Sequence, residues 1–290
     1  MPQRKDHLMI VTDAGVTLHL GADYGIPYNL DPLNGVDVDL KLAQGVNQTG
    51  QTVEGQTVAG VYRELTADCS SEHGDADALL LLQSLPYFTT GTLYFMDKYF
   101  CRFVLSKTPY TTRIHGFPRL DIMLFCPRPY WYDLTAVTYV LGGFVPSFRL
   151  PVNYATPHRF GVRTNIGWLN ARNPGALAVP FTAVLTCDAE VVNPRVVNVI
   201  TGAQIGLQTT LSPGDVVEIY RTTTDKLALK RTRAGVTENV FALLDEASDL
   251  TELAAGDNML ATQADTGADN LQVTISFYPM RTGILPEVIP

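Results

Sequence analysis

The sequence predicts a mainly β protein of two domains, an N-terminal β domain with one helix over residues 1–145 and a C-terminal β-sandwich or barrel over 146–290. Three observations predict it. Short runs rich in Val, Ile, Thr and aromatics recur along the chain, separated by Gly, Pro, Asn and Asp turn signals. Only one stretch carries a complete set of helix start and stop signals. Near residues 134–160 the pattern loosens into "LGGFVPSFRLPVNYATPHRFG", rich in proline and glycine, which marks a linker. A length of 290 residues supports two cores.

The first half justifies its elements in order. "LMIVTDAGVTLHL" (8–20) reads as two β runs around Asp13-Ala14-Gly15. "VDVDLKL" alternates cleanly, with Val36, Val38, Leu40 and Leu42 on one face and Asp37, Asp39 and Lys41 on the other, so it predicts a half-buried strand. The Asp37/Asp39 pair reads as the wet side of that strand, with a metal or acid–base role as the lesser reading. "QGVNQTGQTVEGQTVAG" (44–60) reads as a long mobile loop, and "VYRELTADCS" returns to strand character. In "SSEHGDADALLLLQSLPYF", Ser70 or Ser71 caps a helix, acidic residues fill its first turn and Pro86 stops it. "GTLYFMDKYFCRFVLSKTPYTTRIHGFPRLDIMLFCPRPYWYD" then predicts three strands, broken at Thr-Pro and Gly-Phe-Pro.

From about residue 160 the chain becomes a train of strands. "RFGVRTNIGW", "VPFTAVLTCDAEV", "RVVNVIT", "AQIGLQTTL", "DVVEIYRTT", "KLALKRTRA", "TENVFALLD", "NMLATQ" and "NLQVTISFYPM" are separated by turn signals such as "NPG", "SPGD", "RAG" and "DTGADN". "ASDLTELAAG" reads as a single helical turn. In "VVNPRVVNVITGAQIGLQ", Asn193-Pro194 starts a strand by biasing the chain to extended geometry, and Thr201-Gly202 allows the reversal. No repeat of 20–50 residues is visible, which argues against a solenoid or propeller.

Composition narrows the function. The chain is 46% hydrophobic and 17% charged, with a net charge of −8. Residues 1–150 carry 11 basic and 15 acidic side chains, and residues 151–290 carry 10 and 14, so neither half has the basic excess that phosphate backbones require. The dense basic cluster "KRTR" (Lys230–Arg233) reads as a solvated strand end, with a phosphate or partner contact as the other reading. Cys69, Cys101, Cys126 and Cys187 lie too far apart for a zinc pattern and read as buried free thiols of a protein made in a reducing compartment. No run is long enough to predict a membrane span or a signal peptide.

No catalytic signature is present. G-x-S-x-G, G-x-G-x-x-G, Walker A and H-E-x-x-H are all missing, and His7, His19, His73, His115 and His158 are scattered. "DTGADN" (Asp265–Asn270) loosely resembles a calcium loop, but it lacks the distal glutamate, and a hairpin turn explains it. Trp131 and Trp168, with Tyr130, Tyr132 and Tyr154, have the chemistry to stack on sugars, although burial in a β core is the commoner role for such residues. The expectation is therefore no catalytic, cofactor-binding or metal-binding residues, and no cofactor.

The order of patterned turns carries more information than any single residue. "NPRVVNVITGAQIGL", then an L-x-x-GD-x-V-x-I strand (Leu211–Ile219), then "LAAGDN" and an ending with an aromatic, Arg and Gly in "FYPMRTGI", resembles the siphophage distal tail protein family. "VAGVYRELTADC" and "LDIMLFCPRPYWYD" extend the resemblance into the first half, while 43–60 and 143–157 do not align. The resemblance implies a ring-forming N-terminal domain and a galectin-like C-terminal β-sandwich projecting outward. It also implies a structural hub, not an enzyme, at the tail tip of the virion, assembled in the host cytoplasm. The implied partners are five further copies in a homo-hexamer, the tail tube protein, the tail-tip (tail-associated lysin or fibre) protein and receptor-binding proteins. DNA would pass through the lumen only as cargo, and an acidic average suits that passage. A carbohydrate-binding β-sandwich module in host attachment is the alternative, although the galectin sugar-binding signature is absent around Trp168.

Overall fold

The computed structural model describes residues 7–31, 36–142, 144–146, 161–163, 168–222 and 224–284. The chain is mainly β, and it divides into two units: Met1–Thr135 together with Met280–Pro290, and Ala136–Pro279. The boundary expected between 145 and 146 therefore falls inside the second unit. Two pairings set the division. Val137–Leu141 runs antiparallel along Leu271–Phe277, with Tyr139 opposite Ile275, which ties it to the second unit's sheet. Met280–Arg281 pairs with Trp131–Asp133, and the Arg281 guanidinium grips Asp133 at 2.7 Å and 3.0 Å, so the chain's end returns to the first unit.

The first unit contains β1 (Leu8–Thr12), β2 (Thr17–Leu20), β3 (Tyr28–Asp31), β4 (Val38–Ala43), β5 (Thr52–Val58), β6 (Val61–Asp68), α1 (Gly74–Ser84), β7 (Thr90–Phe95), β8 (Tyr99–Ile114), β9 (Phe117–Cys126) and β10 (Trp131–Asp133). One antiparallel sheet takes the order β2-β1-β7-β8-β9-β6-β3, with β10 joined to β8. Period-two alternation decides which face is dry. On β9, Leu120, Ile122, Leu124 and Cys126 are buried while the residues between them are half-exposed. The expected break at Thr108-Pro109 does not occur. β8 runs straight through it, and its pairing with β9 shifts register between Leu105 and Lys107 and again between Lys107 and Tyr110, so the proline falls where no ladder bond is needed. The break lies instead at Met96-Asp97, both at positive φ.

Four consecutive leucines cannot all face a core from one helix, because successive side chains are about 100° apart. Leu81 and Ala78 of α1 are buried, along with Leu85 just after it, whereas Leu79 and Leu80 stand 54% and 55% exposed. The expected serine cap is corrected: His73 occupies the N-cap without a side-chain cap bond, and Ser71 donates instead to Asp77 at 3.0 Å. Gly74 opens the helix because a Cβ there would lie 2.0 Å from the Cys69 carbonyl oxygen. Deep in the same core, the buried Arg63 guanidinium stacks 4.7 Å from the Trp131 ring and donates to the Pro129 carbonyl at 3.1 Å.

The second unit has a six-stranded antiparallel sheet in the order Val137–Leu141, Leu271–Phe277, Thr182–Cys187, Val216–Arg221, Leu227–Arg233, Val236–Asn239. A four-stranded sheet orders Leu169–Asn170, Met259–Gln263, Arg195–Asn198 and Gln204–Gly206. Inward residues of both are fully buried, among them Ala183, Val217 and Ile275 from the first and Val196, Ile205 and Leu260 from the second. The helical turn expected in "ASDLTELAAG" is instead a short strand, Glu252–Leu253, paired with Val179–Pro180. Asn193 is not extended as its position before proline suggested; its φ is 52°, a conformation Asn tolerates. Much of the 134–160 linker segment lies outside the described residues.

Candidate assembly surface

Among the described residues, β4 and β5 pair only with each other and form an arm. The register sets Val38 opposite Val58, Leu40 opposite Gln56 and, after a shift, Leu42 opposite Val53, which gathers these side chains on one face. The arm corrects two expectations. Residues 44–60 are not one long loop, since Thr52–Val58 is the return strand. The strand is not half-buried either: Val38, Leu40, Leu42 and Val53 are 49–54% exposed and Val46, at the tip, is 96% exposed. Asp37 and Asp39 are exposed as well, as the wet-side reading expected. A lone two-stranded ribbon is marginal in water, and a contiguous exposed apolar face marks an interaction site. Finishing the burial of these aliphatics offers on the order of 5 kcal/mol gross, before the cost of ordering partners.

A second apolar surface lies at α1 and the turn that follows it. Leu79 and Leu80 face outward, and beyond Pro86 stand Tyr87, 73% exposed, and Phe88, 87% exposed. The two rings meet edge to face, with centroids 5.2 Å apart. The Pro86 carbonyl accepts from the Thr89 amide at 3.3 Å and from the Thr89 hydroxyl at 2.6 Å, closing a turn. Phe88 is third in that turn with φ 66°, a position that favours glycine. A bulky side chain held there costs energy locally while its ring contacts mostly solvent.

The residues weighed for chemistry have other partners. Each charge of "KRTR" faces a carboxylate: Lys230 meets Glu218 at 2.9 Å and Arg231 meets Glu238 at 2.9 Å, both on neighbouring strands, and Arg233 meets Asp215 at 2.6 Å, in the turn just before one of them. The run is the end of a strand, as expected, but of an inner strand whose charges are paired. The Arg233 hydrogen bonds, joined by the Ser212 backbone N–H, hold the buried Asp215 carboxyl below its usual range. In "DTGADN", Asp265 accepts from Asn193 at 2.8 Å and Arg195 at 2.9 Å, which lowers its pKa, and Gly267 is required because a Cβ would lie 2.3 Å from the Glu190 carbonyl oxygen. Among the described residues, no group of three or more His, Cys, Asp or Glu is placed to hold a metal ion.

All four cysteines are free and buried. Burial pushes Cys69 up to about 11, helped by Asp77 and Asp68. Burial also raises Cys101, whose sulfur lies 3.9 Å from that of Cys126. Trp131 is a core residue, whereas Trp168 is 55% exposed. His158 and Tyr154 lie outside the described residues. The sequence reading missed one cluster: His7 bonds Asp97 at 2.8 Å and His19 at 2.9 Å, and Tyr24 stacks on both histidines. The β1–β2 register, with Met9 opposite His19, was the signal that brings these strands together.

No protein-family model matches the chain, and no curated protein sequence matches it. Solved structures do share its fold. The Dit protein of SPP1, described as a hub of the adsorption apparatus in phages infecting Gram-positive bacteria, aligns with a TM-score of 0.62 at 11% identity, covering 94% of this chain and 98% of its own. The phage P2 baseplate in its activated conformation aligns with a TM-score of 0.54 at 11% identity in its calcium form, and 0.52 at 12% in its strontium form. In both, 96% of this chain and 99% of the other are covered.

Proposed function

We propose that this chain is a non-catalytic structural hub at the distal end of a phage tail, built as a homo-hexameric ring. The observation that carries the reading is the shared fold along nearly the whole chain with a phage adsorption hub and a phage baseplate. The first unit forms the ring, and the second, galectin-like unit projects outward. The ring joins the tail tube protein to the tail-tip protein and to receptor-binding proteins, and DNA passes through it as cargo. The protein resides in the virion after assembly in the host cytoplasm. A closed ring is a heterologous assembly, so each subunit must present two different, complementary patches. The first unit carries more than one exposed apolar surface, which is compatible with that geometry. Negative-stain microscopy and native mass spectrometry test the reading: rings, alone or capped onto tail tube protein, support it, and a monomer under both conditions sinks it.

The exposure of Trp168 favours a second reading, a carbohydrate-binding module that takes part in attachment to the host surface. An accessible indole is a platform for a sugar face. Binding on a glycan array that Trp168→Ala abolishes would support it, and an empty array would remove it.

A further inference from the structure

We infer that the β4–β5 arm of one copy lays its apolar face on the α1–Tyr87–Phe88 surface of the next copy in the ring. The inference rests on the ring reading and names the two surfaces that meet. The arm offers Val38, Leu40, Leu42, Val53 and Val58 on one face and, among the described residues, pairs with no strand outside itself. The receiving surface offers Leu79, Leu80, Tyr87 and Phe88, all more than half exposed.

Areas match. A bare aromatic side chain presents about 150–250 Å², so Tyr87 and Phe88 together offer on the order of 300 Å², and the leucines add to it. The half-exposed aliphatics of the arm offer a comparable area. A standard interface takes about 800 Å² from each partner, of which a little over half is apolar. The two patches therefore supply the apolar centre of one interface, with polar neighbours such as the exposed Gln83 left for the rim.

The backbone at Phe88 points to this surface over its rival. Tyr110, Ile114 and Phe117 on the β8–β9 ribbon are also exposed, at 43–48%, but none of the three has a positive φ. Phe88 occupies a left-handed turn position where glycine would be relaxed, and its ring is far more exposed. Such strain persists where it positions a side chain for a contact. Both surfaces belong to one subunit and differ from each other, so pairing arm to turn propagates around a ring and leaves neither of the two unmatched when it closes.

Cysteine cross-linking tests the pairing on the full chain, since the four native thiols are buried. Leu40→Cys alone and Phe88→Cys alone should give no linked dimer with a short bis-maleimide. The double variant should give a ladder of linked species ending at the closed ring. Phe88→Gly should fold with an undiminished Tm and associate at least tenfold more weakly. A ring that forms but links Leu40→Cys to Phe117→Cys, or that tolerates Phe88→Gly, overturns the pairing and leaves the ring reading standing. An internal link within one chain overturns the pairing as well. Absence of any ring from the unsubstituted protein removes the ring reading and this pairing with it.

Discussion

Two hairpins of this chain have nearly the same sequence pattern and opposite surroundings. Arg195–Asn198, paired with Gln204–Gly206, alternates half-buried and buried residues, and the hairpin buries Val196 and Ile205 to 0% and 1% exposure. β4 of the arm alternates cleanly as well, yet Leu40 and Leu42 remain 51% and 49% exposed. Alternation states that one face of a strand needs cover. It does not state whether that cover comes from the same chain. For the first hairpin, other strands of its own unit supply it. For the arm nothing in its own sheet does, and this difference separates a fold element from an assembly element.

The largest effect that would break the comparison is in the buried hairpin. Ile205→Ala removes a fully packed side chain and should cost about 2–5 kcal/mol, read as a lower urea midpoint. A change under 1 kcal/mol would mean the hairpin is no better covered than the arm. Next, Leu40→Ser should leave the stability of the dissociated chain within about 0.5 kcal/mol while weakening ring assembly in sedimentation at least tenfold. Loss of folding there would show that the arm is covered within its own subunit.

A pH effect of intermediate size sharpens the account of the second unit. Asp215 has a folded-state pKa depressed first by its bonds from Arg233. Its contribution to stability is present above the unfolded value of 3.8 and is lost as pH falls through the lower folded value. The urea midpoint should therefore drop between pH 5 and pH 3, and Arg233→Ala should flatten that drop. An equal slope in the variant would show that the pair does not carry the dependence. The smallest effect belongs to Lys230→Ala, whose solvent-screened pair with Glu218 should leave the thermal midpoint nearly unchanged; a clear drop in that midpoint would mark the paired basic strand as structurally critical.

Much of the fold is legible in local chemistry. Asp13-Ala14-Gly15 turns β1 into β2, Pro86 ends the helix and Thr201-Gly202 reverses the second-unit hairpin, each through its own backbone preference. What escaped the sequence depends on distant partners. Thr108-Pro109 looked like a break because a proline cannot donate to a ladder, but β9 accommodates it by shifting register. Asn193 looked extended because it precedes a proline, but its side chain bonds Asp265, 72 residues away, and its backbone turns left-handed. Residues 44–60 looked like loop because Gly, Gln and Thr dilute the apolar pattern that β4 supplies across the ribbon. The Tyr87–Phe88 surface had no sequence signal beyond following Pro86, since nothing in "LPYF" marks Phe88 as a left-handed residue.

The central claim is that this chain closes on itself as a ring through its first unit. Native mass spectrometry of the purified full-length protein across a concentration series, with and without tail tube protein, tests it most directly. The account predicts one dominant hexamer that gives way to monomer, without stable dimers, when Leu40→Ser is introduced. A monomer at every concentration in both conditions, or a two-fold dimer that Leu40→Ser leaves unchanged, would contradict it.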